Sequence, residues 1–260
     1  MRLDRLNSME QYILQNGTAS LDDLATRFQI STNTVRRDIS ELLNRGQIKK
    51  VYGGVSAYIP PVPPPISVRA EHERDAKREI GRLAAELVQD HTTVFLDSGS
   101  TTVCLLPHLA NKSGITIITH SLSAMYEASK YPDLRVIGLG GLYIPYTSSY
   151  VGVSTVEMLS RMSIDLIFIA ATGVSLERGL TNTTYFEAEI KRTVVEHNKQ
   201  IILMADHSKF GHTALFTFCE FKNLSGIVTD RKPAKPYLDA IEQNGIKVLY
   251  PKDEINAVLN

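Results

Sequence analysis

Residues 31–54 read STNTVRRDISELLNRGQIKKVYGG, and this stretch decides the first part of the fold. On a wheel of about 100° per residue, Ile39, Leu42 and Leu43 fall within about 80° of Val35, while Asn33, Arg37, Ser40 and Asn44 lie about 140–200° away. The first set is a buried face, the second an exposed polar stripe flanked by Thr34 and Arg36. Ser31 is placed as an N-cap, and Gly46 as the stop of this helix. IKKVYGGV (Ile48–Val55) follows as two β-prone pieces around Gly53-Gly54. Upstream, Ser20 and Asp23 have the spacing of a capping box for a short helix carrying Leu21, Leu24 and Phe28. Leu3, Leu6, Met9 and Ile13 lie at helical spacing in an earlier segment ending at Asn16-Gly17. Three helices and a terminal hairpin make a winged helix-turn-helix.

That motif presents the start of its third helix to the major groove. Arginine can bind guanine through two hydrogen bonds, and asparagine can do the same for adenine. Ser31, Thr32, Asn33, Thr34, Arg36, Arg37 and Ser40 are therefore expected to meet double-stranded DNA, with Lys49 and Lys50 of the wing neutralising phosphates. Up to Ala57 there are eight basic and six acidic residues, so charge is concentrated on one face rather than large. An exposed polar helix face alone would only keep a domain soluble. The order of short capped helix, Arg-rich helix and Gly-terminated wing is what points to DNA.

Outward from this head, YIPPVPPPISV (Tyr58–Val68) holds five of the eleven prolines. Dense proline disfavours helix and inner strand, so a semi-rigid linker over 59–76 is expected between a head of 1–58 and a body of 77–260. A proline-rich ligand for an SH3-type partner is the other reading of that run. The body alternates. Lys77–Val88 has a helical apolar face, and the buried-strand segments are Thr93–Asp97, Ile115–Thr119, Leu134–Leu139, Leu166–Ala171, Ile201–Ala205 and Gly226–Thr229. Helix-like stretches at Val153–Arg161, Phe186–His197 and Pro233–Asn244 separate several of them. The fold class is α/β with a mostly parallel sheet covered on both faces.

Ligands of such sheets bind beyond the carboxyl ends of the strands. There the sequence FLDSGSTT places Asp97, Ser98, Gly99, Ser100, Thr101 and Thr102 between a strand and a helix expected from Thr101. Free amides, the positive end of a helix dipole and hydroxyl donors suit a phosphate. Hydroxyl residues are also common helix caps that need no ligand. Other strand ends bring His120-Ser121, Gly140-Gly141, Gly173 and Asp206 with Lys209 to the same edge. Lys209 is a cation for a phosphate and Asp206 an acceptor for sugar hydroxyls. Glu187 and Lys191 are spaced i,i+4, which reads most simply as a surface ion pair, with Glu187 kept as a lesser binding residue.

Composition narrows the classes. The chain has 260 residues, with 28 Lys+Arg against 28 Asp+Glu and 43% apolar residues. No apolar run reaches the roughly 20 residues of a membrane span. The Met1–Arg5 start has no apolar segment behind it, so neither membrane nor secretion is expected. Cys104 and Cys219 form no redox or metal motif, and His207 and His212 are poorly spaced for a metal, so no cofactor or metal is expected and the setting is cytoplasmic. No G-x-x-x-x-G-K-[ST] loop supports nucleotide hydrolysis.

Ile30-Ser31, Thr34–Ile39, Leu42, Gly46 and Tyr52-Gly53-Gly54 resemble the recognition helix and wing of the DeoR family of bacterial sugar-metabolism regulators. In the body, LDSGSTT, IGLGG, Gly152, Asp165, Thr172-Gly173-Val174, Gly179-Leu180-Thr181, Glu187-Ala188, Lys191, ADHSKFG and Thr229-Asp230 resemble the family's effector domain. That domain's fold is similar to sugar-phosphate isomerases. The resemblance implies a repressor of a sugar or polyol catabolic operon, controlled by a phosphorylated sugar or polyol and working as a homo-oligomer, dimer or tetramer. Two departures stand out: His120 where the family often has Asn, and the weakly polar Leu142–Pro145 after Gly140-Gly141. The competing reading is a sugar-phosphate isomerase with an appended head, in which Asp206, Glu187 and Lys209 would move protons.

Overall fold

The computed structural model describes residues 2–44, 48–57 and 64–251. The Asn44 side chain, the expected stop at Gly46 and the first part of the proline run lie outside the described residues. Contacts divide the chain into two compact units, Met1–Val62 and Pro63–Asn260.

The first unit contains α1 (Arg2–Asn16), β1 (Thr18–Ser20), α2 (Leu21–Phe28), α3 (Thr32–Asn44), β2 (Ile48–Val51) and β3 (Gly54–Ala57). Ser20 caps α2 reciprocally: its hydroxyl accepts from the Asp23 amide at 3.0 Å, and the Asp23 carboxylate accepts from the Ser20 amide at 3.3 Å. Leu6, Met9, Ile13, Leu24, Val35, Ile39, Leu42 and Val55 fill one small core. The wing is a three-stranded antiparallel sheet in the order β1-β3-β2. Strand β1 has no counterpart in the sequence reading, because three residues are too few to display an alternation. A Cβ on Gly54 would stand 2.2 Å from the Ala19 carbonyl oxygen, so only glycine lets β3 lie this close to β1.

The second unit opens with α4 (Ile66–Glu71) and α5 (Arg74–Ala85). The expected linker over 59–76 is thus corrected from Ile66 onward. Pro64 and Pro65 stand just before the first turn of α4, where a missing N–H is no loss. Next come β4 (Thr93–Leu96), β5 (Thr116–Thr119), α6 (Leu122–Ala128), β6 (Arg135–Gly138), β7 (Leu142–Ile144), β8 (Ser149–Val151) and α7 (Val153–Leu159). The remainder is β9 (Leu166–Ile169), β10 (Gly173–Ser175), β11 (Gly179–Asn182), α8 (Tyr185–His197), β12 (Ile201–Met204), β13 (Phe216–Cys219), β14 (Gly226–Val228), α9 (Lys235–Gln243) and β15 (Lys247–Leu249).

Seven parallel strands form the central sheet, in the order β15-β14-β12-β9-β4-β5-β6. Alternate residues feed two cores. Phe95, Ile118, Ile167 and Leu203 pack with Ala188, Ile190 and Val194 of α8. Val94, Leu96, Ile117 and Phe168 pack with Ile80, Leu83 and Ala84 of α5. A small antiparallel sheet, β10-β11-β13, and the hairpin β7-β8 lie outside this frame. From β4 the chain steps outward through β5 and β6; from β9 it steps the other way through β12, β14 and β15. The junction of β4 and β9 is therefore the topological switch point, where such sheets open a crevice.

One expected element differs in kind. The helix after the hydroxyl loop is a 3-10 run, Thr102–Leu109, containing Pro107. Its hydrogen-bond geometry is poorer than that of an α-helix, so the dipole contributes less to any anion site there.

Candidate functional site

In the head, Val35, Ile39 and Leu42 are buried, while Ser31, Thr32, Asn33, Arg36, Arg37 and Ser40 are exposed. Ser31 caps α3, its hydroxyl accepting from the Thr34 amide at 3.2 Å. Asp38, on the inner side of the same helix, is fully buried and accepts from Arg5 Nε at 2.8 Å. That pair anchors α3 to α1 and leaves Arg36 and Arg37 outward. Lys49 and Lys50 are exposed on β2, followed by Tyr52 at the hairpin tip, wholly exposed. Gly53, at φ +77, makes the turn. Tyr52 adds an exposed aromatic ring two residues after Lys50.

In the body, Asp97 follows β4 at the switch point. Its Oδ2 accepts from the Ala170 amide, just past β9, and from Lys191 Nζ, both at 3.0 Å. Lys191 also donates to the Ala170 carbonyl at 2.7 Å. Burial pushes the Asp97 carboxyl up, but Lys191, His120 and the Ala170 amide outweigh it and hold the pKa below the ordinary value. Gly99 follows because a Cβ there would stand 2.4 Å from the Ala170 Cβ.

Glu187 and Lys191 are not a surface couple. They are 7% and 4% exposed, and each turns to a different partner around the β4 loop. Glu187 Oε1 accepts from Ser98 Oγ at 3.2 Å, and Oε2 accepts from Thr184 Oγ1 at 2.9 Å and Asn182 Nδ2 at 3.2 Å. The i,i+4 spacing misled because both residues sit on the inner side of α8 beside Ala188, Ile190 and Val194. Lys191 is thus a residue that sequence reasoning missed. Its apolar neighbours are the signal that could have found it.

The loop hydroxyls divide by role. Thr102 Oγ1 donates to the carbonyls of Asp97 and Gly99, both at 2.8 Å, so it braces the loop rather than standing ready for a ligand. Thr101 is buried, and Ser100 Oγ donates to the Arg69 carbonyl at 3.4 Å. His120, fully buried beyond β5, stacks on Phe95 with centroids 5.9 Å apart. Its Nε2 is 4.0 Å from Asp97 Oδ1, and neither that oxygen nor either ring nitrogen has a hydrogen-bond partner among the described residues. Burial holds the imidazole pKa below its usual value against the pull of Asp97 and Glu187.

Asp97, Ser98, Gly99, His120, Glu187 and Lys191 thus form one buried polar cluster. The other expected residues make their bonds elsewhere. Ser121 caps α6, accepting from the Ala124 amide at 3.2 Å. Gly140 and Gly141 follow the edge strand β6, where the Gly140 carbonyl accepts from Thr155 Oγ1 at 2.7 Å. Gly173 starts β10, where a Cβ would meet the His212 carbonyl oxygen at 2.4 Å. Asp206 follows β12 fully buried; its Oδ1 accepts from the Ser208 amide at 3.0 Å, and its Oδ2 stands 3.9 Å from Lys209 Nζ.

The chain matches known proteins along most of its length. Residues 5–58 match the DeoR-like helix-turn-helix domain, and residues 72–231 match the DeoR C terminal sensor domain. The HTH-type transcriptional regulator IolR of Bacillus subtilis is 40% identical over 95% of this chain and 99% of its own length. The HTH-type transcriptional repressor GlcR of the same species is 30% identical over 96% and 97%. The Glycerol-3-phosphate regulon repressor of Escherichia coli is 26% identical over 94% and 97%. Among solved structures, ribose 5-phosphate isomerase A of Methanocaldococcus jannaschii shows a shallow likeness, with TM-score 0.39 and 18% identity over 53% of this chain and 55% of that one. A regulator aligned end to end and two domain matches in the order head then sensor leave no place for the isomerase reading: the chain belongs to the DeoR family, as a transcriptional regulator and not an enzyme.

Proposed function

We propose that this protein represses an operon of sugar or polyol catabolism and is switched by a phosphorylated sugar or polyol held at the β4–β9 switch point. The observation that carries this reading is the loop Asp97–Thr101, closed onto Ala170 by Gly99 and surrounded by Asp97, His120 and Glu187. Two carboxylates and a neutral imidazole suit the hydroxyls of a polyol, and the loop amides suit its phosphate. Of the three relatives given above, two are named repressors, and one carries glycerol-3-phosphate in its name. Asp206 and Lys209 are the outer members of the site, and Ser121, Gly140, Gly141 and Gly173 shape its rim. In the head, Arg36, Arg37, Asn33 and Ser40 read operator bases, while Ser31, Thr32, Thr34, Lys49 and Lys50 hold the phosphate backbone. One such helix reads few base pairs, so the working form is a symmetric dimer or a tetramer in the cytoplasm. Effector binding changes the population able to hold two heads on one operator.

A thermal-shift screen of sugar and polyol phosphates against their unphosphorylated parents tests the reading. A ligand bound only by the folded state raises the midpoint by mass action. The phosphorylated member of a pair should shift the midpoint and alter operator binding, and its parent should do neither. Equal shifts from both members of every pair would overturn the assignment of a phosphate site.

A further inference from the structure

Lys77 has no part in the cluster above, yet it is a buried cation, 2% exposed. Its ammonium donates to the carbonyls of Arg69 at 2.5 Å and His72 at 2.6 Å, at the C-terminal end of α4. Among the described residues it forms no direct ion pair; Asp206 and Lys209 act on it only from farther off. Burial lowers its pKa, as expected for a charge offset mainly by two carbonyl dipoles. The Arg69 carbonyl has a second partner, because Ser100 Oγ also donates to it, at 3.4 Å. One backbone oxygen at the end of α4 is therefore shared between the hydroxyl loop and the buried ammonium. The 3-10 run after the loop packs closely on α5, the helix that carries Lys77: a Cβ on Gly81 would stand 2.2 Å from the Cys104 carbonyl oxygen.

We propose that Lys77 is the ammonium that takes the phosphate of the ligand, and that in turning to it Lys77 and Ser100 release the end of helix α4. The inference rests on the phosphate reading of the Asp97–Thr101 loop and extends it to coupling. A phosphate beside this loop offers Lys77 a full negative charge where it now has two dipoles, and a charge-assisted bond is the stronger one. The same anion competes for the Ser100 hydroxyl. The Arg69 carbonyl then loses both partners and the His72 carbonyl loses its ammonium, leaving the last turn of a six-residue helix without its side-chain support. Helix α4 begins four residues after Val62, where the first unit ends. Among the described residues it is thus the first regular element of the sensor after the DNA-binding unit.

Amide hydrogen exchange of the full-length protein, with and without saturating inorganic phosphate, tests this. The reporters are the amides of Arg69 and His72, which donate to the carbonyls of Pro65 and Val68. Phosphate should raise the thermal midpoint and speed exchange at both amides by about tenfold or more. In Lys77→Met both amides should exchange fast without phosphate and respond no further, and phosphate affinity should fall about tenfold or more. Should Lys77→Met fail to fold, Ser100→Ala gives a milder form of the same result, with faster exchange at Arg69 and His72 and a smaller response to phosphate. A midpoint raised by phosphate with exchange in α4 unchanged overturns the coupling and leaves the sugar-phosphate reading standing. No midpoint change with inorganic phosphate or any sugar phosphate removes the reading, and the inference with it.

Discussion

The head and the sensor place their polar chemistry on opposite sides of their cores. In the head, Arg36, Arg37, Ser40, Lys49 and Lys50 look outward from a core made of Val35, Ile39, Leu42 and their neighbours. In the sensor, Asp97, His120, Glu187 and Lys191 lie inside, around the strand ends. An outward group needs only a place on a helix or strand, and periodicity supplies that. An inward group needs a partner, and its partner comes from far along the chain. The head is thus built to meet a polyanion at its surface, and the sensor to enclose a small ligand.

The largest expected effect would break this contrast in the sensor. Lys191→Met leaves the Asp97 carboxylate buried beside one amide, and removing one member of a buried pair costs about 3–5 kcal/mol. Urea unfolding measures it, and adding Asp97→Asn to the same chain should restore part of the loss. A cost below about 1 kcal/mol would make the inward pair no more important than a surface one. In the head, Arg37→Ala should leave stability alone and cost about 1–3 kcal/mol in operator binding, with weaker preference for operator over random DNA. Lys50→Ala should weaken all sequences alike and lower the salt dependence. Equal losses on operator and random DNA for Arg37→Ala would move Arg37 to the phosphate contacts.

A smaller effect separates the units by pH. Because burial depresses the His120 pKa, the unfolded chain takes up a proton there that the folded chain resists. This contribution to stability is complete above about pH 6.5 and declines as pH falls below it. Asp97, also depressed, adds its loss only in acid, below about pH 3.9. His120→Asn should flatten the fall of the urea midpoint between about pH 7 and 5, and an unchanged slope would place the proton uptake elsewhere. The smallest expected change in stability is that of Tyr52→Ala, within about 0.5 kcal/mol, since the ring touches water alone. Its operator affinity should fall all the same; unaltered affinity would leave the wing with lysines as its only contacts.

What was legible follows the same division. The capping box at Ser20 and Asp23 and the stripe through Arg37 are local patterns of the head, and both stand in its described residues as read. Five of the six segments expected as buried strands were visible because a parallel sheet covered on both faces leaves continuous apolar runs, whereas the sixth is the half-buried edge strand β6. The pairing of Lys191 with Asp97 was not visible: the apolar neighbours Ala188, Ile190 and Val194 mark an inward lysine, but its partner lies far along the chain. Helix α4 was hidden by the prolines before it, whose influence ends at the first turn. Thr102 looked like a ligand because a hydroxyl that braces its own loop and one that waits for a phosphate have the same sequence.

The glycine contact between β3 and β1 has a mechanical consequence. Gly54 presses the wing against the strand that joins α1 to α2, and α2 leads directly into α3. The distance from the reading helix to the wing tip is therefore held by a hydrogen-bonded sheet and not by a loose hairpin. The head works as a caliper with a locked jaw. The span from α3 to the wing tip is one fixed gauge within the head.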